Sequence, residues 1–114
     1  MQKFISVMKA LSDPNRVKIV KLLRHRRLCG CEIQEALGIA QSSVSKHLKI
    51  LDQAGLVSGS RDGLWVDYRP ADGTENPYSA SMLGNLRHWL DADGEVAEMA
   101  ARIPENHRRQ TTGG

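Results

Sequence analysis

The chain has 114 residues, a formal net charge of +3 and 40% hydrophobic residues. A chain of this length folds as one domain around one core, so a second function has to share that core. The N-terminus does not resemble a signal peptide, and no apolar run approaches the roughly 18 residues of a membrane-spanning helix. We therefore expect a soluble, cytoplasmic protein without a membrane partner.

Charge is distributed unevenly along the chain. Residues 1–70 carry 12 Lys and Arg against six Asp and Glu, whereas residues 71–114 carry four against seven. A basic first part is typical of a surface that binds phosphate, and an acidic second part suits protein contacts. A solvated surface with uneven charge is the alternative.

Apolar residues at helical spacing predict three helices in the first third of the chain. The first covers residues 2–11, and the second begins at Asp13-Pro14, an N-cap followed by proline at the first helical position. The second helix ends in the basic run 24–27, which suits a helix C-terminus. A short third helix runs from about Cys31 and stops at Gly38.

The segment 41–51 predicts a fourth helix with two different faces. Val44, Leu48 and Leu51 form its apolar side, and His47 lies beside that side as a predicted structural histidine. The opposite side is a polar and cationic stripe formed by Ser42, Ser45, Lys46 and Lys49. Such a stripe fits the major groove of DNA.

From Leu56 the hydrophobic period changes to two, which predicts a β-hairpin. Its strands are residues 56–61 and 64–69, with Asp62-Gly63 as the turn. Arg61 and Asp62 then lie at the tip, as in a wing that touches the DNA backbone.

Asn76-Pro77 predicts the start of a long last helix. Its apolar residues at near-helical spacing are Tyr78, Met82, Leu86, Trp89, Leu90, Val96, Ala100 and Ile103. Because this stripe is long for a helix beyond the DNA-binding core, we predict that it forms a dimer interface with the first helix. Residues 104–114 have no apolar content and predict a disordered tail. Residues 1–103 are then the DNA-binding and dimerisation domain.

The two cysteines of the chain, Cys29 and Cys31, flank one glycine at the start of the third helix. The unpaired amides of a helix start, with Arg26 and Arg27 nearby, predict lowered pKa values for both thiols. Soft sulfur ligands select arsenite, antimonite, cadmium or lead over hard ions. Residues i and i+2 of a regular helix point about 200° apart, so one ion can bind both thiols only at a distorted helix start.

Three other interpretations of the cysteine pair remain open. The pair is a structural feature of the core, or it is a thiol redox or persulfide switch. As an enzyme, the chain would use Cys29 or Cys31 as nucleophile with His25 as base. The sequence supplies no residue to orient such a base and no pocket motif, so we predict a protein that is not an enzyme.

Four motifs in this order resemble the ArsR/SmtB family of winged helix-turn-helix metalloregulatory repressors. They are Asp13-Pro14-Asn15-Arg16, Cys29-Gly30-Cys31, the run Ser45-Lys46-His47-Leu48-Lys49-Ile50-Leu51, and Gly63-Leu64-Trp65-Val66-Asp67-Tyr68-Arg69. The Cys-x-Cys stands where arsenic- and cadmium-sensing members carry theirs, and the arsenic-sensing branch is the more similar one.

The resemblance implies a mainly α fold with a small β-hairpin: five helices and a two-stranded wing. It implies a homodimeric repressor that leaves double-stranded operator DNA when arsenite or antimonite binds Cys29 and Cys31. Cadmium or lead is the alternative inducer, and no organic cofactor is implied. The residues that would face DNA are Gln41, Ser42, Ser43, Ser45, Lys46, Lys49 and, from the wing, Arg61.

One departure from the family pattern concerns the third ligand. Arsenic repressors often carry a third cysteine where this chain has Gln34, so one protomer cannot supply three thiolates. A small-molecule thiol is then the expected third ligand, and a cysteine of the partner subunit the alternative. A second metal site on the last helix is a further alternative, from His88, Asp91, Asp93, Glu95 and Glu98.

Overall fold

The computed structural model describes residues 1–103, except for the side chain of Asp62; the predicted disordered tail lies outside this range. The elements are, in chain order, α1 (Gln2–Ala10), α2 (Pro14–Leu23), β1 (Leu28–Cys29), α3 (Gly30–Leu37), α4 (Gln41–Gln53), β2 (Val57–Asp62), β3 (Trp65–Pro70), α5 (Pro77–Leu86) and α6 (Gly94–Ala101). Helices α3 and α4 pack against each other, and β2 and β3 form the hairpin that follows them. The predicted winged helix-turn-helix architecture is confirmed.

Helix α2 begins, and helix α4 buries its apolar face, as the sequence predicts; in α1 only Val7 and Ala10 are buried, and its apolar residues Phe4 and Ile5 are exposed. One carboxylate oxygen of Asp13 accepts hydrogen bonds from the backbone N–H groups of Asn15 at 2.8 Å and Arg16 at 3.3 Å, and Pro14 is the first residue of α2. This cap satisfies amides that have no partner inside the helix. In α4 the buried residues are Val44, Leu48 and Leu51.

The sheet has a third strand that the sequence did not predict. β1 pairs antiparallel with β3, placing Leu28 opposite Tyr68 and Cys29 opposite Asp67, so the strand order is β1-β3-β2. A strand of two residues is too short to show a period of two, which is why pattern alone missed it. Through this strand, the backbone at Cys29 pairs with a strand of the wing.

The hairpin register differs from the predicted one. Arg61 pairs with Val66 and Asp62 with Trp65, so the two-residue turn is Gly63-Leu64 and not Asp62-Gly63. Gly63 has a φ of 63°, a left-handed conformation that glycine adopts without a steric penalty. Positive φ at the first central position is the pattern of a type II′ turn. The tip of the wing is therefore Leu64, which is 96% exposed.

The C-terminal segment forms two helices, so the described chain has six helices where the sequence predicts five. Leu90 lies between α5 and α6 with a φ of 67°, which a helix cannot contain. Asp93 then caps α6 by accepting from the N–H groups of Glu95 at 2.9 Å and Val96 at 3.2 Å. The apolar stripe of the predicted long last helix therefore crosses a helix start at Asp93-Gly94. The prediction missed this N-cap because the apolar spacing continues across it.

The break redirects α6 onto its own protomer. α6 packs against α2 and α3, and its Val96 and Met99 are buried in the same core as Ile33 and Leu86. This part of the predicted dimer stripe therefore belongs to the core of the protomer. Within residues 1–103, no helix is long and apolar enough to cross a membrane.

Candidate DNA-binding face and thiol segment

The polar stripe of α4 lies on the surface. All four of its members, Ser42, Ser45, Lys46 and Lys49, are exposed. Of the other predicted DNA-facing residues of α4, Gln41 is exposed and Ser43 is half-buried. Because Val44, Leu48 and Leu51 anchor the opposite side, the helix presents two lysines and several hydroxyl groups to solvent. These are groups that bind phosphates and base edges in a major groove.

The wing carries a further exposed cation. β2 packs against α4, and Arg61 is exposed on β2, one residue before the end of that strand. Arg61 faces Val66 across the hairpin, and Val66 is also exposed. The structure therefore puts the arginine near the tip of the wing, where the sequence predicts it.

The side chain of His47 contacts Arg16 of α2 and not solvent alone. Its Nδ1 lies 3.2 Å from the guanidinium Nη1 of Arg16, and both side chains are half-buried. This contact agrees with the prediction of a structural histidine. Arg16 was not singled out by sequence reasoning, although it belongs to the Asp-Pro-x-Arg motif at the start of α2.

Cys29 is both the end of β1 and the N-cap of α3. Its backbone N–H donates to Oε1 of Glu32 at 3.0 Å, and the backbone N–H of Glu32 donates to the Cys29 sulfur. This reciprocal pair is a capping box in which a thiol takes the place of the usual hydroxyl. The Cys-x-x-Glu spacing is a signal for this arrangement that the sequence prediction did not use.

The environment of Cys29 contradicts one prediction. Burial, with Cys29 only 2% exposed, raises the pKa of its thiol, and the negative charge of Glu32 adds to that effect. The predicted lowering of this pKa is wrong because burial has the largest effect on the thiol, and the nearby cation Arg26 lies against Glu32, its Nη2 3.4 Å from Oε2. The thiol therefore faces a carboxylate and apolar surroundings, which disfavour a thiolate.

Cys31 differs from Cys29 in access to solvent. It lies in the first turn of α3 and is exposed. In the part of the chain that the structure describes, no three His, Cys, Asp or Glu side chains are grouped as a metal site. One protomer therefore presents one accessible and one buried thiol at the start of α3.

Comparison with known proteins identifies the family. Residues 13–58, from the cap of α2 into β2, match the family model described as bacterial regulatory protein, arsR family. The arsenic resistance transcriptional regulator ArsR1 of Pseudomonas putida is 35% identical over 101 residues, covering 84% of this chain and 79% of that protein. The chain belongs to the ArsR family.

Other relatives agree with this assignment. The HTH-type transcriptional repressor SmtB of Mycobacterium tuberculosis is 47% identical over 66 residues, which are 58% of this chain and about half (49%) of that protein. The homodimeric winged helix-turn-helix DNA-binding domain of Mb0332 from Mycobacterium bovis has 27% identity and a TM-score of 0.64, covering 75% of this chain and 76% of that one. ArsR-family proteins are DNA-binding transcriptional regulators and not enzymes, as the sequence predicts.

Proposed function

We propose that this ArsR-family protein is a homodimeric repressor that binds operator DNA through α4 and releases it when arsenite or antimonite binds Cys29 and Cys31. The observation that carries the proposal is the position of Cys29. Its sulfur accepts a hydrogen bond at the start of α3, and α3 packs against α4. A ligand that takes this sulfur therefore perturbs the start of the helix that packs against the proposed recognition helix.

The DNA-binding part of the proposal rests on the exposed stripe of α4. Lys46 and Lys49 supply positive charge for phosphates, and Gln41, Ser42, Ser43 and Ser45 supply hydrogen-bonding groups for positioning and base readout. Arg61 would reach a phosphate from the wing. In a two-fold dimer, two such helices enter successive major grooves about 34 Å apart.

The inducer part of the proposal follows from the unequal thiols. Cys31 is exposed and can take the ligand first, whereas Cys29 has to leave its capping box before it binds. Each As–S bond replaces one As–OH bond of arsenous acid, and the thiol proton leaves with that hydroxide as water. Soft sulfur favours these metalloids over hard ions. The third ligand is a small-molecule thiol, with a cysteine of the partner subunit as the alternative.

Release of DNA then follows from linkage. The ligand stabilises a form of the protein in which the start of α3 is rearranged, and DNA stabilises the form in which α3 supports α4. Two ligands that prefer different conformations weaken each other's binding by the same factor.

Titration of the DNA complex tests the inducer. A labelled duplex that the protein selects from a random library is bound to the dimer, and its anisotropy is followed as arsenite, antimonite, cadmium, lead, zinc or a persulfide donor is added. We expect release by arsenite and antimonite for the wild type, and no release for Cys29→Ser or Cys31→Ser. Release only by cadmium or lead, or only by the persulfide donor, contradicts the arsenite proposal in favour of those inducers.

Salt dependence tests the recognition helix. Lys46→Ala and Lys49→Ala should each weaken binding and reduce the slope of log affinity against log salt by roughly 0.9 for the lost phosphate contact. Arg87→Ala is the matched control, because Arg87 is an exposed cation just after α5. Slopes equal to the wild type in both lysine variants contradict a DNA-facing α4.

The dimer interface is proposed to include α1 and α5. Phe4 of α1 and Tyr78 of α5 meet edge to face with ring centroids 5.4 Å apart, yet they remain 41% and 40% exposed. Exposed aromatic pairs are typical of protein interfaces. Phe4→Glu should therefore shift the dimer toward monomer in sedimentation velocity, whereas Leu64→Glu at the wing tip should not. A dimer of wild-type affinity in Phe4→Glu contradicts this interface.

A further inference from the structure

Arg16 lies where three helices meet. It stands in the first turn of α2, and its guanidinium group points toward the end of α1 and the middle of α4. Nε donates to the carbonyl oxygen of Ala10 at 2.7 Å, and Nη2 donates to that of Lys9 at 3.2 Å. The remaining nitrogen, Nη1, lies 3.2 Å from Nδ1 of His47.

The chemistry of these contacts is directional. The last carbonyl groups of α1 have no partner inside that helix, and the planar guanidinium supplies donors in a fixed fork. A guanidinium cannot accept a hydrogen bond, so Nδ1 of His47 is the acceptor. The Arg16–His47 bond therefore joins the end of α1 to the recognition helix through one rigid group.

His47 occupies a position on α4 where such a bond controls rotation. It lies between the buried Leu48 and the exposed Lys46 in sequence, at the border of the two faces. Apolar packing of Val44, Leu48 and Leu51 holds α4 against the core but is not directional. A hydrogen bond at the border of the buried face resists rotation of α4 about its axis.

We propose that Arg16 is a positioning residue for DNA binding, which sets the orientation of α4 through His47 without touching DNA itself. The inference rests on the proposed role of α4 as the recognition helix. Because α1 is also the proposed dimerisation helix, the same guanidinium relates the orientation of α4 to the subunit interface. Two recognition helices can then enter both half-sites together.

A double-mutant cycle on the dimer and its selected duplex tests this role. Arg16→Gln and His47→Leu should each weaken DNA binding about tenfold, as expected when a hydrogen bond to a charged group is lost. The double variant should be no weaker than Arg16→Gln, because His47 has no bond to Arg16 left to lose once the guanidinium group is gone. His47→Asn keeps an acceptor near the position of Nδ1 and should bind within about twofold of the wild type.

The salt slope separates positioning from direct contact. It should be unchanged in all these variants, since no phosphate contact is lost; a slope reduced by roughly 0.9 in Arg16→Gln means that Arg16 binds phosphate and overturns the inference. Additive losses in the cycle overturn it as well. If Arg16→Gln does not fold, the comparison of His47→Leu with His47→Asn tests the proposal. An equal loss of DNA affinity in these two variants contradicts it.

Failure of this inference is distinguishable from failure of the proposed function. If Lys46→Ala and Lys49→Ala reduce the salt slope but the cycle is additive, α4 binds DNA and only the positioning role is wrong. If the lysine variants keep the wild-type slope, the recognition face itself is wrong, and the positioning role fails with it.

Discussion

The ammonium group of Lys21 is buried in α2 and donates to the carboxylate of Asp91, which lies 70 residues further along the chain. The same nitrogen donates to the carbonyl oxygen of Leu86, the last residue of α5, at 2.8 Å. Lys21 therefore binds both the end of α5 and the turn that follows it. This pair of contacts stabilises the break that sends α6 back onto α2 and α3.

Loss of Asp91 should destabilise the protein more than loss of Lys21. Asp91→Ala leaves a 1% exposed ammonium group without its carboxylate, whereas Lys21→Met replaces that group by an apolar side chain of similar length. Asp91 itself is half exposed, so water can solvate it once Lys21 is gone. We expect a lower melting temperature for Asp91→Ala than for Lys21→Met by circular dichroism. Glu98→Ala, which removes an exposed carboxylate, is the control; the reverse order of the two main variants contradicts the argument.

The same contact predicts a pH dependence of stability. The hydrogen bond from Lys21 lowers the pKa of Asp91 below the ordinary value of 3.8, with the charges of Lys21 and Arg24 adding to it. A carboxylate whose pKa is lowered by folding contributes stability that is present above 3.8 and is lost as the pH falls through the folded-state pKa. The melting temperature of the wild type should therefore fall more steeply than that of Asp91→Asn between about pH 5 and about pH 2. Parallel curves refute this assignment.

The two cysteines should differ in reactivity. The thiolate is the reacting form, and Cys29 is buried with a raised pKa, whereas Cys31 is exposed. With iodoacetamide at neutral pH, mass spectrometry should find Cys31 alkylated at least about tenfold faster than Cys29. In the Cys31→Ser variant the slow alkylation of Cys29 can be followed by itself. Unfolding in guanidinium chloride should abolish the difference in rate between the two cysteines. Equal rates in the folded protein contradict the buried position of Cys29.

The capping role of Cys29 predicts that two small substitutions differ in stability. Serine is a preferred N-cap residue and can keep the capping box with Glu32. The free energy of unfolding of Cys29→Ser should therefore lie within about 0.5 kcal/mol of the wild-type value. Alanine cannot accept the hydrogen bond, and Cys29→Ala should lose about 1 kcal/mol. Urea unfolding measures both values. Equal stability of the two variants contradicts a cap formed by this side chain, and the serine variant is the appropriate one for inducer titrations.

Local signals in the sequence predict much of the framework of this fold. Asp13-Pro14 marks the start of α2, and the spacing of Val44, Leu48 and Leu51 separates the two faces of α4. These features succeed because a cap or a helical face depends on residues within a few positions of each other. The turn at Gly63-Leu64 and the strand Leu28–Cys29 were missed, since register and a two-residue strand depend on the partner strand.

The sequence by itself determined the family motifs, the polar stripe of α4 and the presence of two thiols at the start of α3. Only the tertiary structure decided the state of Cys29, because burial, with the negative charge of Glu32 adding to it, raises the pKa of its thiol against the expectation from neighbouring arginines. It also decided where the last helix breaks and which side chain contacts His47 of α4. Lys21 with Asp91 and Arg16 with His47 are contacts across 70 and 31 residues. Such contacts form only when distant helices pack, and no periodicity along the chain encodes them.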